Sequence, residues 1–303
     1  MKQALAYFEG NEYKQAFKRM KQLVEQERSV ENLHNLAWLY LNEEEDLNMG
    51  QKLAEEAVEL GPNHHFPHAL LAEIYLRKND LPRAEVHLHK VLEKHRIPSI
   101  IHNLGVLYAK KRQWTEAANY FQECAKMSSY IQIIEIYCHI QANDIKAKDI
   151  LLQWDESQDD FIGWSEAADL WIELGEFTNA KEGFEKEWGI TFPSPYIVKR
   201  YSYVLYRLGK EEELMNIQKQ TLANIEQEVE EVQKEIDWLE EDKNEQIQEL
   251  EEWREEVTGL LKNLKKGYVP PYEIDIYVEG GCYLFGCSQH NHPFYRGDSK
   301  KRV

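Results

Sequence analysis

Along the first two thirds of the chain, a small residue is followed twelve positions later by a second small residue. A large apolar residue lies four positions beyond that in most copies, and polar residues fill the remaining faces. The clearest copies are Ala72/Ala84/Leu88, Gly105/Ala117/Phe121 and Ala168/Ala180/Phe184, each with an aromatic three residues after its first member (Tyr75, Tyr108 and Trp171). Two antiparallel helices approach closely only where the side chains at their crossing are small, so the pattern predicts successive helical hairpins. Weaker copies stand at Ala4/Ala16/Met20, Ala37/Gly50/Ala54, Ile134/Ala147/Leu151 and Ser202/Leu214/Gln218, which puts the first members 33, 35, 33, 29, 34 and 34 residues apart. Turn signals such as Glu9-Gly10-Asn11, Lys78-Asn79-Asp80, Leu174-Gly175-Glu176 and Leu208-Gly209-Lys210 separate the helices.

Two further zones follow. Residues 221–266 lack proline and hold one glycine, and Leu222, Ile225, Val229, Val232, Ile236 and Leu239 alternate steps of three and four. The phase resumes at Leu250, Trp253, Val257, Leu260 and Leu264. This predicts a heptad-patterned helix of roughly 65 Å, or a hairpin folding back around Asp242 to Glu245. Residues 267–303 open on Gly267-Tyr268-Val269-Pro270-Pro271, where helix must stop. The alternation from Glu273 to Glu279, the Gly280-Gly281 turn signal and Cys282-Tyr283-Leu284-Phe285 then predict a small β-hairpin.

The repeat resembles the tetratricopeptide repeat, whose period is about 34 residues. That family's Leu-Gly/Ala-x-x-Tyr signature stands here as Leu36-Ala37-x-x-Tyr40, Leu71-Ala72-x-x-Tyr75 and Leu104-Gly105-x-x-Tyr108. The expected fold is therefore all-α: a right-handed α-solenoid of about seven hairpins over residues 1–220, followed by the acidic helix of 221–266 and the tail of 267–303. The resemblance also implies a concave groove lined by the first helix of each hairpin. Carried over residue by residue, the groove positions are His34, Trp38, Asn42, Glu73, Arg77, His102, Lys110, Glu135, Asp169, Glu173, Lys199, Tyr203, Tyr206 and Arg207. Chaperone-binding members clamp a terminal carboxylate with an asparagine just after the small residue. Trp38, Glu73, Val106 and Asp169 stand there instead, which argues against that ligand class.

Composition narrows the choice of partner. The 303 residues carry a formal net charge of -18, which opposes binding to nucleic-acid phosphates and to anionic membrane surfaces. Between Glu226 and Glu256 stand 15 acidic and three basic residues, so two thirds of the net charge sits in one tenth of the chain. Like charges flank the heptad seam, which disfavours a parallel homodimer through it and leaves a solvated cap or a basic partner as the alternatives. No stretch approaches a membrane span and no apolar leader opens the sequence, from which a cytoplasmic location is expected.

For chemistry, the one concentrated set of soft ligands is Cys282, Cys287, His290 and His292. Four such groups within eleven residues could close a structural zinc site, although their spacing departs from common fingers. A packing or capping role for the same residues stays open beside the metal reading. Cys124 and Cys138 fall within predicted helices and read as small buried hydrophobes. No phosphate loop, nucleophile elbow or zinc-protease helix is present in the sequence. The leading expectation is therefore a non-enzymatic adaptor without a cofactor that binds a protein or peptide in the groove. A zinc-dependent sensing or catalytic protein and a peptide-responsive regulator are the alternatives.

Overall fold

The computed structural model describes residues 1–125, 128–154, 157, 161, 163–189, 193–281 and 284–287. Among them, fourteen helices follow one another in pairs and a fifteenth closes the helical part. The first helices of the pairs are α1 (Lys2–Glu9), α3 (Val30–Asn42), α5 (His65–Arg77), α7 (Pro98–Lys110), α9 (Ser129–Gln141), α11 (Trp164–Glu173) and α13 (Pro195–Arg207). Their partners are α2 (Tyr13–Gln26), α4 (Leu47–Leu60), α6 (Leu81–Leu92), α8 (Trp114–Cys124), α10 (Lys146–Leu152), α12 (Phe177–Glu187) and α14 (Glu211–Lys234). The last helix is α15 (Glu240–Lys265).

The small residues of the repeat are where the helices meet. Ala4, Ala16, Ala37, Ala54, Ala72, Ala84, Ala117, Ala168 and Ala180 are all wholly buried. At Gly105 a Cβ would lie 2.8 Å from the ring of the buried Phe121, which shows why glycine stands opposite phenylalanine in that hairpin.

The turn is equally regular in five of the hairpins. Seven residues after the small residue the backbone enters the left-handed region, at Asn11 (φ 60°), Asn79 (58°), Arg112 (57°), Gly175 (75°) and Gly209 (71°). The next amide then donates back to a carbonyl five residues earlier, from Asp80 to Tyr75, Gln113 to Tyr108 and Glu176 to Trp171. This is the Schellman closure, and it satisfies a carbonyl that the end of the helix would otherwise leave unpaired. Starts are fixed by side chains: Asp46 accepts from the amides of Asn48 and Met49, Asp80 from that of Arg83, and Ser194 from that of Ile197.

The chain forms two compact units. One comprises Met1–Cys138 together with the described residues from Asp275 onward, and the other comprises His139–Ile274. In the second unit, α14 runs through position 220, so the last repeat and the acidic zone share one helix. The single 65 Å helix is not found. The chain breaks at Glu235–Leu239, earlier than Asp242–Glu245, and α15 returns beside α14. Ile225 and Val232 are thereby buried with Leu250, Trp253 and Val257, so the two halves of the heptad seam cover each other. Ile236 and Leu239 fall in the turn instead and are 91% and 70% exposed. Burying the seam favours the fold-back even without glycine or proline at the turn.

Nor is the expected β-hairpin found among the described residues. Apart from a bridge residue at Trp188, no strand occurs among the described residues, and 268–281 is neither helix nor strand. Both main-chain groups of Asp275 and of Glu279 are taken up by side chains of the helices, in place of a partner strand.

Gly105→Ala should lower the stability of the protein by about 1–3 kcal/mol, because the added methyl overpacks a full core. Thermal unfolding of this variant and of Gly105→Ala/Phe121→Leu checks it. The second change should recover part of the loss, and equal losses in the two variants would show that the Gly105–Phe121 contact is not the cause.

Candidate binding face

In the first unit, residues 275–281 and 284–287 lie against the first helices of the repeats. The contacts are ordered along the chain: Asp275 meets α9, Tyr277 and Glu279 meet α7, Gly280 meets α5, and Gly281 and Phe285 meet α3.

Two asparagines hold the main chain. Asn103 donates from Nδ2 to the carbonyl of Glu279 at 2.9 Å and accepts the Glu279 amide on Oδ1 at 2.8 Å. Asn35 does the same for Phe285, with 2.9 Å to its carbonyl and 2.8 Å from its amide. A carboxamide used in this way replaces the neighbour that a β-strand would supply, and it reads backbone without regard to side chain. Tyr130 makes a third double contact, its hydroxyl donating to the Asp275 carbonyl at 3.0 Å and accepting the Asp275 amide at 3.2 Å. The indole of Trp38 donates to the Gly281 carbonyl at 2.8 Å. Asn35 and Asn103 lie two repeats apart, about 20 Å at ordinary helix spacing, and their targets Phe285 and Glu279 lie six positions apart in the chain.

Side chains of the segment are gripped as well. The Phe285 ring sits 5.0 Å from Phe66, 5.2 Å from His34 and 6.0 Å from His64, with Leu284 buried beside it. Gly286 adopts φ +87°, which favours glycine, and a Cβ there would meet the end of the Leu5 side chain at 2.9 Å. The Tyr277 ring lies 4.7 Å from His102, whose Nε2 is 3.0 Å from the Tyr277 carbonyl. Burial lowers the pKa of His102 despite that carbonyl and nearby Glu279, so the neutral ring donates from Nε2.

Glu73 faces the middle of the segment and is almost wholly buried. Burial raises its pKa to about 7, outweighing Arg77, which donates to Oε1 at 2.6 Å, and the Gly281 amide; Glu279 adds to the rise.

In the second unit, Arg200 on α13 is 1% exposed and holds the carbonyl of Pro270 at 3.0 Å. It is fixed by Asp169 (2.6 Å) and Glu173 (2.9 Å) of α11. Burial raises the pKa of Asp169 while Arg200 and Tyr196 oppose it, and the Tyr196 hydroxyl also receives the Glu273 amide at 3.4 Å.

Of the groove residues carried over from the repeat, the structure thus sets His34, Trp38, Glu73 and His102 against the segment, and Asp169 and Glu173 behind Arg200. Lys199 pairs with Glu256, and Arg207 donates to the Tyr203 hydroxyl while lying over Phe177. Asn42 is exposed and bonds the Trp38 carbonyl of its own helix, Lys110 and Arg207 are exposed, Tyr206 is half-buried and Glu135 is buried. Cys282, His290 and His292 lie outside the described residues, and Cys287 packs against the core of the first unit. Among the described residues, no three His, Cys, Asp or Glu side chains converge as a metal site would require.

Asn35, Asn103 and Arg200 are not among the positions carried over. All three stand two residues before the small residue of their repeats, Ala37, Gly105 and Ser202. The tetrapeptides His34-Asn35-Leu36-Ala37 and His102-Asn103-Leu104-Gly105 were the available signal.

Paired helices in register, with an extended segment laid across their first members, define a helical-hairpin repeat protein. Residues 100–128 match the family model described as tetratricopeptide repeat. Residues 4–91 match the family described as ChAPs (Chs5p-Arf1p-binding proteins). Among solved structures, the chain is similar to a tetratricopeptide repeat protein from Parabacteroides merdae, at 13% identity over 82% of this chain and 96% of that one, with a TM-score of 0.52. It is also similar to a chain in the structure of Naa15/Naa10 bound to HypK-THB, at 14% identity over 74% of this chain and 36% of that one, with a TM-score of 0.45. No curated protein matches the chain. No described helix is long and apolar enough to cross a membrane.

Two outcomes follow from this geometry. Asn103→Ala leaves the Glu279 amide and carbonyl without their partner, and should speed hydrogen exchange at that amide about thirtyfold, the equivalent of about 2 kcal/mol; unchanged protection would contradict the clamp. Glu73, raised from an ordinary 4.5 to about 7, binds its proton more tightly in the folded state, so its contribution to stability grows as pH falls from about 7 towards 4.5. Glu73→Gln should therefore gain on the wild type by up to about 3 kcal/mol between pH 4.5 and pH 8. Denaturant unfolding at the two pH values measures the difference, and an equal offset at both would rule out the titration.

Proposed function

We propose that this chain is a non-enzymatic adaptor that binds an extended segment of another protein on the first-helix face of its first unit. The observation that carries the reading is the pairing of Asn35 and Asn103 with both main-chain groups of a single residue each. Recognition of this kind accepts any sequence able to lie extended, and neighbouring pockets then select among side chains. The titratable groups on the face are committed to holding backbone: His102 serves the Tyr277 carbonyl, and Glu73 is tied to Arg77 beside Gly281. The repeat fold, which protein-binding scaffolds commonly use, agrees with this, and the net charge of -18 disfavours nucleic acid as the partner.

Affinity capture from native lysate with the wild type and with Asn35→Ala/Asn103→Ala tests the reading. Partners held through the face should be lost from the double variant while its helical circular dichroism stays intact. Recovery of the same partners in the same amounts would place binding elsewhere on the molecule.

A further inference from the structure

The segment that occupies the face has a definite pattern, and the pockets that receive it are built for that pattern. Resting on the reading above, we infer that the first-helix face recognises a tyrosine followed eight residues later by a phenylalanine, within the sequence Leu-Phe-Gly. We also infer that the chain's own residues 275–281 and 284–287 stand in for the partner's segment until it displaces them.

Each element of the pattern has a physical cause. The position of Phe285 is boxed by Phe66, His34 and His64, a site shaped for an aromatic ring. Leu284 before it is 1% exposed and belongs to the core of the first unit. The residue after it takes a left-handed backbone (φ +87°) close to Leu5, which favours glycine. The Cys287 amide donates to the Leu284 carbonyl at 3.2 Å and closes this turn. Eight residues upstream, His102 and Tyr130 flank the ring of Tyr277. Between the anchors, a Cβ at position 280 would stand in ordinary contact with the Glu73 carboxylate at 3.4 Å, so a small side chain fits there.

Occupation by the chain itself gives the face two properties. A partner must compete with a tethered segment, whose effective concentration is of millimolar order for a short flexible connection. Weakening the tethered segment should therefore strengthen binding in trans without any change to the face.

The test uses the full chain and a fluorescent synthetic peptide with the sequence of residues 273–287. The wild type should bind this peptide at least about tenfold more weakly than Phe285→Asp, in which the tethered segment is disabled. Against that variant, peptides carrying Phe285→Ala or Gly286→Val should bind at least about tenfold more weakly than the unaltered peptide, equivalent to about 1.4 kcal/mol. Tyr277→Ala in the full chain provides a milder release should Phe285→Asp fail to fold. If the released, folded chain binds all three peptides equally, the pattern is overturned while binding of extended segments stands. If it binds none of them, the adaptor reading on this face fails as well. Equal affinity of the wild type and the released variants would overturn self-occupation.

Discussion

The arrangement of the first unit depends on how main-chain amides and carbonyls within residues 275–281 and 284–287 are satisfied. A segment that is neither helix nor strand must find partners for its polar backbone once it is covered, since an unpaired buried group costs about 1–3 kcal/mol. Here the partners are side chains: Asn35, Asn103 and Tyr130 each hold the amide and carbonyl of one residue, while Trp38 and His102 each serve one carbonyl. Regularly spaced helices hold these side chains at fixed intervals. The extended segment supplies groups at a matching interval, so the repeat acts as a template for backbone.

Arg200 applies the same logic in the second unit by different chemistry. Its guanidinium is out of water and would be unstable there alone, but Asp169 and Glu173 neutralise it and leave one donor directed at the Pro270 carbonyl. An asparagine needs no such support because it carries no charge. Polar residues two positions before the small residue therefore do related work in both units, with the electrostatic cost of burial deciding how much company each one keeps.

The face joins strict and permissive demands. The asparagine contacts tolerate any side chain, whereas the Phe285 box and the left-handed Gly286 tolerate very few. Burial of Glu73 on the same face favours its neutral form, because a covered carboxylate loses the water that stabilises its charge. Self-occupation fits these features, since a segment covalently attached to the face can hold the register that a partner would have to match.

The helices and the turns between them are legible in the residue pattern alone. Small residues such as Ala72 and Gly105, left-handed turn residues such as Asn79 and Gly175, and caps such as Asp80 act within a few residues of one another, so their effects are legible locally. The pattern also marked His34, Glu73 and His102 as belonging to the first-helix face through their place in the repeat. Only the tertiary structure decided what covers that face, because the contacts of Asn35 with Phe285 and of Asn103 with Glu279 span 250 and 176 residues. Alternation from Glu273 to Glu279 reads the same whether the neighbour is a strand or a row of asparagines, and the heptad seam reads the same in one long helix as in α14 and α15 folded together. In both cases periodicity fixes which side chains share a face, and packing over long separations fixes what that face meets.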